Sequence, residues 1–197
     1  MTQTLEQTQT STFTPGEFRH RFSIEEFEAL SFRGAFAGQR VELIRGDIHF
    51  MAAMGTPHFL AVRIFNQELV TKLGQSAAIS CQLPVNLVGH SQPEPDFTVV
   101  KAEKAAPRVP NAEDIAAVIE ISDSTLRYDR TEKLTLYASS RIPEYWIVDV
   151  ARVTLEIYRE PEGSEYLFKH VLKKGQSASL LEFPDIALEW WGFDAQE

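Results

Sequence analysis

The feature that most restricts the fold of this chain is a repeated change of hydrophobic period between residues 57 and 150. From Pro57 to Leu73, Val62, Phe65, Leu69 and Leu73 recur at spacings of three and four, while Arg63, Gln67 and Glu68 lie off that stripe. This pattern predicts an amphipathic helix, with Gly74 as its stop. Three apolar runs follow, at about 78–88, 96–101 and 115–122, and read as strands. The polar, proline-containing stretch 101–114 between the last two reads as an exposed loop. A second helix is predicted over about 129–139, and residues 144–150 (EYWIVDV) as another strand. Helix, three strands, helix, strand is the order of an α/β (α+β) fold, a mixed central sheet flanked by helices.

Both ends of the chain add antiparallel strands to this frame. Ser23 and Glu26 have capping-box spacing and open a short helix through about Leu30. Apolar runs on either side of Arg45-Gly46-Asp47 predict a hairpin over 41–50. Beyond Val150, Val153, Leu155 and Ile157 alternate with polar neighbours. Turns at 161–163 and 173–175 separate further strands near 166–172 and 178–190. No internal repeat or linker divides the chain, so residues 21–197 are expected to form one domain. Residues 1–20 are expected to be a polar, disordered tail, since 1–15 are rich in Thr and Gln.

Composition excludes several classes. No stretch approaches the ~20 consecutive apolar residues of a membrane helix. The polar N-terminus lacks the basic start and apolar core of a signal peptide, and a cytoplasmic location is expected. The one cysteine, Cys81, reads as a small buried hydrophobe. His49, His90 and His170 lack ligand spacing, so no zinc site is expected; no phosphate-binding or dinucleotide motif appears, so no nucleotide cofactor is expected either. With 19 Lys+Arg against 28 Asp+Glu the net charge is −9, opposite to that of a protein holding nucleic acid by charge alone. A DNA role would need a local basic patch or bound metal ions.

The strongest chemical signal is Pro95-Asp96 at the mouth of a strand, followed by Glu120 inside the apolar run Val118-Ile119-Glu120-Ile121-Ser122. Period-two alternation puts Val118, Glu120 and Ser122 on one face. A carboxylate in such company is costly unless paired, hydrogen-bonded or metal-bound. If the two strands are neighbours, Asp96 and Glu120 could converge on Mg²⁺ (or Mn²⁺), which accepts few protein carboxylates and retains waters. Asp129 and Lys133 stand at i,i+4 on the following helix, and Tyr137 continues that face. Lys133 could reach over the end of the Glu120 strand to stabilise a phosphodiester transition state, with Arg127 and Arg130 as phosphate contacts. Glu120 as an ordinary ion-pair partner, and Asp129–Lys133 as an exposed pair, remain open on these residues alone. A second Pro-Asp pair, Pro184-Asp185, is assigned to the start of a strand, and Trp146 to the core.

Three segments, ELIRGDIHFMAAMGTPHF, PEPDFTVV and VIEISDSTLRYDRTEKLTLYASSRIPEYWIVDV, resemble the Uma family of PD-(D/E)xK proteins, in order, over about residues 23–190. The resemblance implies a restriction-endonuclease-like core with Asp96 and Glu120 as metal ligands. Many members of that superfamily carry the lysine two residues after the glutamate. Here that position is Ser122, and the family pattern moves the lysine to Lys133. Glu42 and His58 also match the family pattern. Glu42 could complete the metal site, or be a solvent-facing strand residue. His58 could carry a proton or contact phosphate, or simply bond at a helix start. The expected function is a Mg²⁺-dependent endonuclease acting on DNA, and a homodimer is expected because cutting both strands is most easily done with two related sites. The alternative is a non-catalytic module on the same fold, binding nucleic acid or protein through Arg127, Arg130 and Arg141 or through the 101–114 loop.

Overall fold

The computed structural model describes residues 19–51 and 53–193; the expected polar tail falls almost wholly outside them. Ser23 caps helix α1 (Ile24–Phe32) as its spacing predicts. Its hydroxyl accepts from the Glu26 amide at 3.2 Å, and the Glu26 carboxylate accepts from the Ser23 amide at 2.9 Å. Strands β1 (Val41–Ile44) and β2 (Asp47–Phe50) form an antiparallel hairpin that is a sheet of its own. Gly46 at its turn has φ +79°, where a Cβ would also press on Arg21 at 2.8 Å, so this position requires glycine.

Helix α2 (Thr56–Leu73) buries Ala61, Val62, Phe65, Leu69 and Leu73 and ends at Gly74. The main sheet then comprises β3 (Ala77–Cys81), β4 (Phe97–Lys101), β5 (Ile115–Ser122), β6 (Glu144–Asp149), β7 (Thr154–Glu162) and β8 (Glu165–Lys173), in that order across the sheet. Only β5 and β6 run parallel. A parallel pair needs a crossover. Residues 126–139 supply it, as an α-turn α3 (Leu126–Tyr128), a π-helical turn (Asp129–Lys133) and helix α4 (Leu134–Ser139).

Both central strands, β5 and β6, are buried along their whole length, which explains their nearly unbroken apolar sequences. On one face Phe65 of α2 meets Phe97 and Trp146 at ring-centroid distances of 5.6 and 6.5 Å. On the other, Leu136 and Tyr137 of α4 pack with Val118, Tyr145 and Ile147. Trp146 is a core residue, as expected, and Cys81 is half-buried against the same cluster as Trp146. Among the described residues no helix is long and apolar enough to cross a membrane.

Four local expectations are corrected. The third-strand run at 78–88 stops at Cys81, because Gln82 has φ +52° and Pro84 follows; the chain then loops back to Asp96. Residues 178–190 form turns joined by one bridge, Ala178 to Leu188, so Pro184-Asp185 lies in a turn rather than at a strand start. The 101–114 segment is not simply an exposed loop: Arg108 grips Asp114 at 2.7 Å, and Asp114 is buried. The second helix begins at Leu126, earlier than its apolar period suggests.

Phe65 carries the contact between α2 and the sheet. Phe65→Ala is expected to lower stability by about 3–5 kcal/mol, the transfer and cavity cost of deleting a buried ring, measured by urea unfolding.

Candidate active site

Register brings the two predicted carboxylates together. Pairing of Phe97 with Ile119 and Thr98 with Val118 places Asp96 opposite Glu120. The Asp96 amide donates to Glu120 Oε2 at 3.3 Å, and the Ile121 amide donates to Asp96 Oδ2 at 2.8 Å. His58, in the first turn of α2, and Gln82, just past β3, both donate to Asp96 Oδ1, at 2.9 and 3.1 Å. Glu120 points to the α4 side, where its Oε1 accepts from Lys133 Nζ at 3.1 Å and from the Tyr137 hydroxyl at 2.7 Å.

Lys133 is 3% exposed and also lies 2.8 Å from Glu42 Oε2. Glu42 is therefore not solvent-facing. Val41 and Leu43 pack with Phe27 of α1, and the opposite side of β1 lies against the crossover, where Tyr128 reaches Glu42 Oε1 at 3.4 Å. The contact between Lys133 and Glu42 Oε2 is charge without an aligned hydrogen bond, so this buried oxygen has no hydrogen-bond partner. The π-helical turn carries both Asp129 and Lys133 inward. Ser122 and Thr125 hydroxyls both donate to Asp129 Oδ2 at 2.6 Å.

These groups form the floor and walls of a cleft of about 380 Å³. Glu42, His58, Asp96, Glu120, Asp129 and Lys133 line it, together with Arg40, Phe50, Asp123 and Tyr128. Ser122 stands behind Asp129 and does not line the cleft. Gly55 caps α2 at the cleft, where a Cβ would sit 3.2 Å from Asp123.

Electrostatics follow from burial and an excess of carboxylates around one ammonium. Burial raises the Glu120 carboxyl from 4.5 to about 8, with Lys133 opposing and Asp129 and Asp96 adding to the rise. Burial also raises Asp129, against its two hydroxyl donors and Lys133. For Lys133, burial works against the charge, but Glu120 and Glu42 outweigh it and hold the ammonium charged above its ordinary range. His58 behaves likewise: burial lowers it, but Asp96, Glu120 and Asp123 prevail and raise it.

The expected phosphate contacts lie elsewhere. Arg130 ion-pairs with Glu156 of β7 and reaches Asp149 of β6 at 3.6 Å; Arg127 is exposed, and neither lines the cleft. The arginine that does line it is Arg40, 3.2 Å from Glu94. Sequence reasoning gave no role to Gln82, Tyr128 or Arg40, whose placement depends on cross-strand register and on where the hairpin lands. Tyr137 was visible as a continuation of the Lys133 face.

The comparisons agree with this architecture. The chain matches the profile of the Uma2 family, described as "Putative restriction endonuclease", over residues 24–190, and belongs to that family. A crystal structure from Anabaena variabilis, described as a putative nuclease belonging to DUF820, superposes with a TM-score of 0.68 at 15% identity. The superposition covers 87% of this chain and 97% of the other, and so shows a shared fold. No curated protein matches.

Two outcomes are expected. Because the folded Glu120 binds its proton more tightly than the unfolded chain does, its contribution to stability is complete below pH 4.5 and is lost as pH rises through about 8. Urea midpoints of the metal-free protein should fall between pH 5 and pH 8, and Glu120→Gln should flatten that slope. Arg130→Gln should cost about 1 kcal/mol of stability, read by thermal melting.

Proposed function

We propose that this protein is a metal-dependent endonuclease that hydrolyses DNA phosphodiester bonds in the cleft above Glu120. The observation that carries this reading is the Glu120 carboxylate, buried on the cleft floor and joined to both the Asp96 amide and the Lys133 ammonium.

Among the described residues, no three His, Cys, Asp or Glu side chains are placed to share one ion. Mg²⁺ does not require three, because waters and substrate oxygens complete its shell. A carboxylate offers about four lone-pair positions. On both Asp96 and Glu120 three are filled, which leaves one on Asp96 Oδ2 and one on Glu120 Oε2. Glu42, Asp96, Glu120 and Asp129 crowd around the single Lys133 ammonium, an excess of carboxyl groups that a further cation would offset. The donor set thus fits Mg²⁺ or Mn²⁺ held by Asp96 and Glu120. Bound there, the ion would supply a water of lowered pKa and Lewis-acid stabilisation of the phosphoryl group.

The chain's own residues would do the rest. His58, Gln82 and the Ile121 amide fix the Asp96 carboxylate, so its free position has one direction. Tyr137 and Lys133 fix Glu120 in the same way. The Lys133 ammonium keeps its proton throughout the working range and offers positive charge where a phosphoryl group gains negative charge. Arg40, at the cleft wall, is the cation available to an adjoining phosphate. A purely binding module would draw on Arg127, Arg130 and Arg141 or on the 101–114 loop; of these, Arg130 and the loop's Arg108 are committed to internal carboxylates.

Nicking of supercoiled plasmid should require Mg²⁺ or Mn²⁺ and fall by at least about 100-fold in Asp96→Ala and Glu120→Gln. Both variants should still melt cooperatively. Mg²⁺ should raise the melting temperature of the wild type but not of Asp96→Ala. Undiminished cleavage by a folded Asp96→Ala protein, or none by the folded wild type, would overturn the assignment.

A further inference from the structure

The two edges of the main sheet differ. Strand β3 has five residues and is buried or half-buried along its length. Strand β8 has nine, and among the described residues no strand or bridge pairs with its outer side. It also exposes apolar side chains: Leu167 is 63%, Phe168 39% and Val171 45% accessible. Proteins usually blunt a long apolar edge with charge, proline or a bulge, because its free amides and carbonyls are a template for another strand. The charges on β8 sit at its two ends and its middle, as Glu165, Lys169 and Lys173.

That distribution is self-complementary. Consider β8 antiparallel to a second β8, with a twofold axis at Lys169. Glu165 then faces Lys173, Leu167 faces Val171, and Phe168 faces His170, each pair occurring twice. Moving the axis by one residue either way loses both charge pairs. It sets Leu167 against Lys169 in one direction, and Leu167 against Lys173 in the other. The only like-charged meeting in the favoured register is Lys169 with itself. Each Lys169 is already drawn inward, 3.0 Å from Glu156 and 5.0 Å from the Tyr158 ring centroid. Neither Glu165 nor Lys173 has an ion-pair partner within its own chain among the described residues.

We infer that β8 is the docking surface for a second copy of this chain, which joins two six-stranded sheets into one through antiparallel β8–β8 pairing centred on Lys169. Main-chain hydrogen bonds hold the pair, Leu167 and Val171 bury each other, and the terminal charges set the register. The surface is isologous, so pairing closes at two copies and leaves the β8 edge covered. Both candidate active sites lie three strands inward from the junction and stay open.

Sedimentation equilibrium tests this on the full chain. At concentrations up to about 100 µM, high enough for a small interface, the protein should reach twice its 22.3 kDa mass. Leu167→Lys should abolish association. Glu165→Lys should weaken it about tenfold, and adding Lys173→Glu should restore it; that recovery separates a specific pair from general edge stickiness. In a Cys81→Ser background, Lys169→Cys should form an interchain disulfide across the axis, whereas Leu167→Cys alone should not, because its mates are offset along the strand. Circular dichroism and melting confirm that each variant is folded. A monomer throughout the concentration range overturns the inference. So does a dimer indifferent to Leu167→Lys and to the charge exchange, or one that crosslinks through Leu167→Cys but not Lys169→Cys.

Discussion

One buried carboxylate organises this molecule. Glu120 sits in the middle strands of the sheet, where an ionised side chain is expensive, and every neighbour that offsets the expense comes from a different element. The Asp96 amide comes from the mouth of β4, and Lys133 and Tyr137 come from the crossover. Through Lys133 the network reaches Glu42 in the hairpin. The hairpin shares no strand pairing with the main sheet, so these side chains, with the Leu43–Gln92 bridge, help fasten it in place. The site and the tertiary structure therefore depend on the same contacts. Removing Lys133 would leave Glu42 and Glu120 facing each other without a counter-charge.

Much of this was legible in the sequence because it rests on period and composition. The α2 stripe, the apolar runs of β5 and β6, and the alternation that sets Glu120 apart from Ile119 and Ile121 all survive in the fold. So does the proximity of Asp96, Glu120 and Lys133, which needed only that two runs be adjacent and that a helix follow. What could not be read was set by register and by backbone conformation. Gln82 reaches Asp96 because β3 ends in a left-handed residue, and no local pattern announces that. Glu42 alternates with Val41 and Leu43 and so looks solvent-facing, until the crossover is found against its side of the hairpin. Arg130 looked like a phosphate ligand by proximity to Lys133 along the chain, but its side chain leaves the cleft and ties the crossover to β6 and β7.

The acidic balance of the chain also finds a physical place. An excess of carboxylates gathers around one ammonium on the cleft floor, and the basic side chains nearby are largely occupied by internal pairing. General attraction for a polyanion is thus weak on this surface. Binding energy must come from the cleft itself, from whatever neutralises its floor, and from the few groups on its walls.

The π-helical turn at Asp129–Lys133 has a consequence for how such sites are recognised. A π turn is what one added residue leaves behind in an α-helix: it widens the local circuit and rotates everything after it by about a third of a turn. Counting along the chain, the gap from Glu120 to Lys133 is therefore arbitrary, since inserting or deleting a residue before α4 would change it while a compensating turn kept the ammonium in place. Search patterns that fix the number of positions between acid and base are blind to this solution. The quantity that matters is the few ångströms between Nζ and Oε1, and many helical detours can arrive at it.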